Sequence, residues 1–220
     1  EVLRFFSKLK CRLMPYLFAQ AVETVATGLP MMRAMALEFP DDPGVANLDR
    51  QYLLGDRLLV APVFSAEGEA EWYVPEGRWT HFLDGSVVEG PRWFRSTFDY
   101  FSLPLFVRPA SVLATGPIES RPDYDYADSP TFHVFEAPEG REIGAGIVDA
   151  AGEAALGIAV LKSATSIEAR LSGPGRGSAW KLHLHGLKGP ATSSAGRLIV
   201  ENSGIVVEAP GGIDHIRVAW

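Results

Sequence analysis

Short segments rich in aromatic and β-branched residues follow one another from residue 70 onward, and Gly or Pro turns separate them. Segments of this length, joined by turns such as Pro-Glu-Gly, Asp-Gly and Glu-Gly-Pro, favour antiparallel β-structure. With 22 glycines and 16 prolines among 220 residues, turn signals are frequent along the whole chain. The sequence therefore predicts a mainly β fold, with first strands at residues 70–74, 79–83, 92–98 and 105–107.

The first 27 residues show a different period. Apolar residues recur at helical spacing and Gly28 supplies a stop signal, so we predict one helix over residues 1–27. Leu3, Met14 and Phe18 lie off the main apolar stripe, so the helix requires neighbours on more than one side. We expect those neighbours to be missing from this chain and the apolar face to be uncovered or covered by a second copy.

The rest of the chain divides into two predicted β domains. Residues 31–39 and 57–64 are predicted as strands, with a short helix at 45–54 between them that ends at Gly55. Turn formers concentrate at residues 116–130, which places a boundary near residue 120. Eight strand signals follow, at 131–136, 142–149, 154–161, 166–172, 180–187, 197–201, 205–209 and 213–220. The predicted domains are residues 1–28, 29–119 and 120–220, the last two as antiparallel β-sandwiches.

Charge and cysteine content exclude several classes of function. The chain has 27 acidic and 20 basic residues and a net charge of -7, which disfavours attraction to nucleic acid or anionic lipid. Its most apolar stretch, residues 2–25, is interrupted by charged residues, so we expect no membrane partner. Cys11 is the single cysteine, which excludes an internal disulfide and a cysteine zinc cage and favours a reducing, cytoplasmic location. The chain begins Glu-Val-Leu without an initiator Met, and we expect it to be a piece of something longer.

Several motifs identify a family. The first half of the chain resembles glycoside hydrolase family 31 over residues 8 to about 117, while the last hundred residues match weakly. The motifs are Lys10-Cys11-Arg12-Leu13-Met14-Pro15-Tyr16-Leu17, Met31-Met32-Arg33-Ala34-Met35, Glu38-Phe39-Pro40-Asp41-Asp42-Pro43, Leu48-Asp49-Arg50-Gln51-Tyr52-Leu53-Leu54-Gly55-Asp56-Arg57-Leu58-Leu59-Val60-Ala61-Pro62-Val63, Tyr73-Val74-Pro75-Glu76-Gly77-Arg78-Trp79 and Leu103-Pro104-Leu105-Phe106-Val107-Arg108. Within the family, the Phe-Pro-Asp-Asp-Pro and Met-Met-Arg-Ala-Met motifs are more similar to bacterial α-xylosidases than to α-glucosidases.

The resemblance implies an architecture and a reaction. Residues 1–28 would be the final helix of the catalytic (β/α)8 barrel, followed by the proximal and distal C-terminal β-domains. The parent enzyme would hydrolyse terminal α-xylosyl or α-glucosyl bonds of oligosaccharides with retention, without cofactor or metal. We further expect a homo-oligomer.

The family's catalytic aspartates lie in motifs of the types Lys-x-Asp-Phe-Gly-Glu and Trp-x-Gly-Asp, and neither motif occurs here. We therefore assign no catalytic, cofactor-binding or metal-binding residue and expect this chain to be inactive alone. Asp56, in a superficial Gly-Asp pair, is interpreted as a turn or capping residue, and the adjacent Asp41 and Asp42 as turn residues.

Other candidate sites have simpler interpretations. A calcium loop starting at Asp123 would need Gly at 128 and Glu at 134, where Asp128 and Val134 stand. His183 and His185 would share one face of a strand like two metal ligands, but the sequence identifies no third ligand, and we expect paired surface histidines. Residues 173–177 lack the Gly-Lys-Ser/Thr of a phosphate-binding loop and are predicted as a hairpin turn.

Aromatic residues leave two further functions open. Exposed rings would suit a carbohydrate-binding module, and buried rings would suit a structural or oligomer-forming domain that braces the barrel. We expect core packing for most of them, namely Trp72, Tyr73, Trp79, Trp93, Phe94, Phe98, Tyr100 and Phe101. Two or more coplanar, solvent-exposed rings would favour binding.

Overall fold

The computed structural model describes residues 1–220 and divides into two compact units. Unit 1 comprises Glu1–Phe6 and Glu23–Pro109, and unit 2 comprises Ser7–Val22 and Ala110–Trp220. Sixteen strands and two α-helices make the chain mainly β, as predicted. Neither helix is both long enough and apolar enough to cross a membrane.

The predicted N-terminal helix is present as α1, Val2–Thr27. It ends at Gly28, whose left-handed φ of 77° allows its N–H to donate to the Thr24 carbonyl. The expectation of an uncovered apolar face is wrong for the middle of α1, because Met14 and Phe18 pack against the core of unit 2. Towards its two ends, Leu3 and Val25 are 81% and 89% exposed. That α1 is a barrel helix stays a prediction.

Unit 1 has a single six-stranded antiparallel sheet in the order β1-β2-β3-β6-β4-β5. Its core includes Met35, Leu53, Leu59, Val74 and Trp79, all fully buried. The elements are β1 Met32–Arg33, α2 Met35–Glu38, a 3₁₀ turn Pro43–Val45, β2 Tyr52–Leu54, β3 Leu58–Val60, β4 Glu69–His81, β5 Val87–Thr97 and β6 Leu105–Val107.

Two predicted elements of unit 1 are wrong. Residues 31–39 form the short β1 and then α2, because one helical turn carries Met35 into the core. Residues 45–54 are not a helix, because β2 pairs with β3 as a hairpin around Gly55, whose φ is 64°. The sequence signal of Gly55 is thus a strand-to-strand turn and not a helix stop.

The predicted strands 70–74 and 79–83 belong to one long strand. The Pro-Glu-Gly signal between them is a bulge, where the pairing of β4 with β5 shifts register between Val74 and Gly77. Gly77 has a φ of 116°, which a residue with a Cβ rarely adopts.

Unit 2 is a sandwich of two five-stranded sheets, ordered β13-β16-β11-β10-β9 and β14-β15-β12-β8-β7. One apolar core lies between them, with Phe132, Val160, Leu182, Val207 and Val218 all fully buried. The strands are β7 Ser111–Thr115, β8 Thr131–Phe135, β9 Ile143–Val148, β10 Ala154–Lys162, β11 Ser166–Ser172, β12 Trp180–His185, β13 Thr192–Ser193, β14 Arg197–Glu201, β15 Gly204–Ala209 and β16 His215–Ala219.

The two units part at Pro109 and Ala110, and the domain boundary near residue 120 stays a prediction. Two features of unit 2 differ from the expectation. β8 and β12 pair in parallel, so the sandwich is not purely antiparallel. Residues 173–177 are not a hairpin turn, since β11 and β12, which they connect, lie in different sheets.

Candidate functional site

A cluster of three histidines lies on the β7–β8–β12 side of unit 2. His183 of β12 stands opposite His133 of β8 in the parallel register, and His185 follows two residues along β12 on the same face. One ring nitrogen of each histidine lies within 4.8 Å of one ring nitrogen of each of the other two. We call His133, His183 and His185 the histidine cluster.

Hydrogen bonds hold the cluster together. His133 Nδ1 lies 3.0 Å from His185 Nε2, and His133 Nε2 lies 3.0 Å from the Thr115 hydroxyl. His183 Nε2 lies 3.1 Å from the Ser203 hydroxyl. The His183 and His185 rings stack with centroids 3.8 Å apart, and Phe135 stacks on His185 at 4.1 Å. His185 Nδ1 is buried and has no hydrogen-bond partner.

Burial keeps the cluster neutral. It lowers the pKa of His133 well below its ordinary value, with the other two rings and the Arg12 charge adding to the effect. Burial and His183 lower the pKa of His185 to about 3, and burial lowers the pKa of His183 although Glu201 acts the other way. All three imidazoles are therefore unprotonated near neutral pH.

The expectation of paired surface histidines is wrong. His183 is only 9% exposed, and the third ring, His133, comes from a strand fifty residues earlier in the chain. The alternation of His183 and His185 was the available signal. His133 could be found only by knowing that β8 and β12 are neighbours.

The acidic candidates serve their own loops. Asp42 accepts from the Gly44 N–H at 2.8 Å and lies 3.0 Å from the Tyr73 hydroxyl, so it caps the 3₁₀ turn. Asp125 accepts from the Ala127 N–H at 3.0 Å in the same manner. Asp56 lies 3.2 Å from Arg57 Nε. The Asp42 bond is the turn chemistry predicted for it, whereas Asp56 lies in the turn at residues 55–57 with its side chain in an ion pair.

The aromatic residues of unit 1 separate into a buried and an exposed group. Trp72, Tyr73 and Trp79 are at most 6% exposed, and Phe94 and Phe98 pack against the core. The exposed rings are Phe5, Phe64, Trp93, Tyr100 and Phe101. Trp93 lies tilted by 57° over Tyr73, and Phe101 meets Phe5 edge-on, so neither ring contact is coplanar.

An open cavity of about 660 Å³ lies beside Trp93. Phe64, which is 70% exposed, also lines it, together with the polar side chains of Asp49, Arg50 and Glu71. The cavity is confined to unit 1 and holds no pair of stacked aromatic rings.

Comparison with known proteins gives two domain matches. Residues 28–113 match the Glycosyl hydrolase family 31 C-terminal domain, and residues 125–220 match the Alpha-xylosidase YicI, C-terminal domain. Together they span most of the chain, and they include the last hundred residues, for which the motifs alone were weak.

Relatives support the same assignment. The chain is 37% identical over 148 residues to Alpha-xylosidase XylQ of Lactiplantibacillus pentosus, a match covering 66% of this chain and 19% of that protein. It is 46% identical over 120 residues to an Alpha-xylosidase of Emericella nidulans, covering 51% and 15%. The chain thus corresponds to less than a fifth of the length of these relatives.

A solved structure confirms the fold. A Flavobacterium johnsoniae GH31 dextranase superposes with a TM-score of 0.79 at 24% identity, covering 97% of this chain and 32% of that one. The fold and the domain matches define the class of protein: units 1 and 2 are C-terminal β-domains of a glycoside hydrolase. The chain belongs to glycoside hydrolase family 31, as the motifs predicted.

Proposed function

We propose that the chain is the non-catalytic C-terminal portion of a retaining α-glycosidase of the α-xylosidase type. This proposal rests on how little of the related enzymes the chain matches. Two α-xylosidases are 37% and 46% identical to it, but the matches cover at most 19% of their length. The two catalytic motifs of the family are absent from the sequence. The parent enzyme would use two aspartates outside this chain, one as nucleophile and one as general acid and then base.

The chain's own role in this proposal is to brace the barrel. Trp72, Tyr73, Trp79 and Phe106 are buried in the core of unit 1, and Phe39, Phe94 and Phe98 pack against it. The exposed apolar residues Leu3 and Val25 are available for contact with the rest of the enzyme or with a second copy. Homo-oligomerisation remains a proposal, and sedimentation of the wild-type chain and of a Leu3→Lys, Val25→Lys variant tests it, since both residues are exposed.

The full-length product of the gene tests the reaction. We expect it to cleave an aryl α-xyloside faster than an aryl α-glucoside and to release the α-anomer first, as seen by NMR. Faster cleavage of the glucoside would move the assignment to an α-glucosidase. Release of the β-anomer would contradict a retaining mechanism, since that product follows direct attack by water.

A carbohydrate-binding module is the second candidate, and the cavity beside Trp93 and Phe64 favours it. A glycan would stack on these rings and bond to Asp49 or Arg50. Because Trp93 and Phe101 meet their neighbouring rings tilted or edge-on, we expect no saturable binding of isoprimeverose-like sugars to the chain. Binding that disappears in Trp93→Ala, with the fold intact by circular dichroism, would favour the module; Tyr100→Ala is the matched control, since Tyr100 is exposed and does not line the cavity.

A further inference from the structure

The histidine cluster has the composition of a transition-metal site. Imidazole nitrogen is a preferred ligand of Zn²⁺, Ni²⁺ and Cu²⁺, and three histidines with one open position form a recurring zinc site. A zinc ion about 2.1 Å from each ligand holds the nitrogens of a tetrahedral site roughly 3.4 Å apart. One nitrogen of each ring lies within 4.8 Å of one nitrogen of each other ring, and His133 Nδ1 and His185 Nε2 are 3.0 Å apart. Binding one ion therefore requires the three rings to adjust towards a common separation of roughly 3.4 Å.

The neighbouring hydroxyls orient two of the rings. When His133 Nε2–H donates to Thr115 and His183 Nε2–H donates to Ser203, the Nδ1 of each ring carries the lone pair. Such second-sphere hydrogen bonds fix the tautomer of metal-binding histidines.

The unpartnered nitrogen is the observation that hydrogen bonding alone does not explain. His185 Nδ1 is shielded from solvent and has no partner, although a buried unsatisfied polar atom costs about 1–3 kcal/mol. The bond between His185 Nε2 and His133 Nδ1 contains one proton and satisfies only one nitrogen of His185. An ion that takes the lone pair of His185 Nδ1 gives this nitrogen the partner it lacks, and His133 Nδ1 then binds the ion instead of accepting from His185 Nε2.

We propose that His133, His183 and His185 bind one divalent transition-metal ion of the zinc class in unit 2. The ion has three protein ligands and one open position for water. Its binding stabilises the sandwich by linking β8 to β12, because a ligand of the folded state raises its stability.

Zinc titration of the full chain, stripped with chelator and then freed of it, tests the proposal. We expect one Zn²⁺ per chain, a raised melting temperature, and an affinity lowered at least about tenfold in His183→Gln and in His185→Gln. His215→Gln is the matched control, since His215 lies outside the cluster and is exposed. An equal loss in the control, or wild-type affinity in both cluster variants, overturns the proposal.

Histidine NMR keeps the test independent of whether the variants fold. In long-range ¹H–¹⁵N spectra of the wild-type chain, zinc is expected to shift the ring nitrogens of His133, His183 and His185 and to leave His81 and His215 unchanged. With Co²⁺ as the probe, visible absorption of a four-coordinate ion is expected. Absence of saturable 1:1 binding to the wild-type chain, or zinc shifts confined to His81 or His215, contradicts the proposal.

Discussion

The side chain of Gln51 makes the hydrogen bonds that a neighbouring strand would make at the edge of β4. Substituting Gln51 therefore gives the sharpest stability prediction. Its side-chain N–H donates to the Tyr73 carbonyl at 2.8 Å, and its side-chain oxygen accepts from the Tyr73 N–H at 2.7 Å. Tyr73 stands opposite Trp93 of β5, while β6 pairs with β4 only at Thr80 and His81. The side chain of Gln51 thus satisfies both backbone groups of Tyr73 on the edge that β6 does not reach.

Gln51→Leu removes both bonds and keeps the volume similar. It leaves a buried N–H and a buried C=O without partners, at about 1–3 kcal/mol each, and the added apolar burial offsets about 1 kcal/mol. We expect the free energy of unfolding to fall by about 1–5 kcal/mol. Gln51→Glu retains the acceptor and loses the donor, so it should be destabilised at neutral pH and partly recover when acid protonates its carboxyl group.

Urea unfolding followed by tryptophan fluorescence and circular dichroism measures this loss. The midpoint for Gln51→Leu should fall with little change in slope. Asn47→Leu, a change of similar chemistry at an exposed residue of the same loop, should leave the midpoint unchanged. A loss below about 0.5 kcal/mol in Gln51→Leu would refute the claim that these two hydrogen bonds close the edge of β4.

Three further variants test packing and electrostatics in both units. Gly144→Ala should destabilise by about 1–3 kcal/mol in a thermal melt, because the new Cβ overlaps the Ile158 carbonyl, whereas Gly146→Ala on the same strand meets nothing and should be neutral. Glu38→Gln should lower the free energy of unfolding in urea by about 2 kcal/mol or more, since Glu38 lies 2.7 Å from buried Arg33 and 2.9 Å from Arg108. Glu119 forms an exposed ion pair with Lys8, so Glu119→Gln should leave the urea midpoint unchanged. Burial raises the pKa of Tyr124 to about 12. The stability that the neutral hydroxyl contributes is therefore full below pH 10, and about 2 kcal/mol of it is lost as the pH rises from 10 to 12. In Tyr124→Phe, the urea midpoint should fall less between pH 9 and pH 11 than it does in the wild-type chain.

Local sequence signals predicted most of the helices and strands but not which strands pair with one another. The stop at Gly28, the strand over residues 197–201 and the mainly β class follow from residue type and spacing alone. The helix predicted over residues 45–54 failed because the pairing of β2 with β3 overrides the local pattern. A turn signal and a bulge signal also look alike in sequence, which divided β4 into two predicted strands.

The histidine cluster shows the same contrast between local signals, which were read correctly, and strand pairing, which was not. The alternation of His183 and His185 gave their common face, because side chains alternate along a strand. Their burial and their neighbour His133 depend on the parallel pairing of β8 with β12, a long-range contact that no local pattern indicates. The absence of the two catalytic motifs, by contrast, needed only the sequence and the family resemblance.

Hydrolysis by the chain alone tests the central claim most directly. The purified 220-residue chain is incubated with aryl α-xyloside and aryl α-glucoside, and released aryl alcohol is measured against the full-length gene product. The account predicts no turnover by the chain and turnover by the full-length product, because retaining hydrolysis needs two carboxyl groups about 5 Å apart and both are proposed to lie outside this chain. Turnover that survives repurification and is lost on substituting an acidic residue such as Asp42 or Asp56 would contradict it.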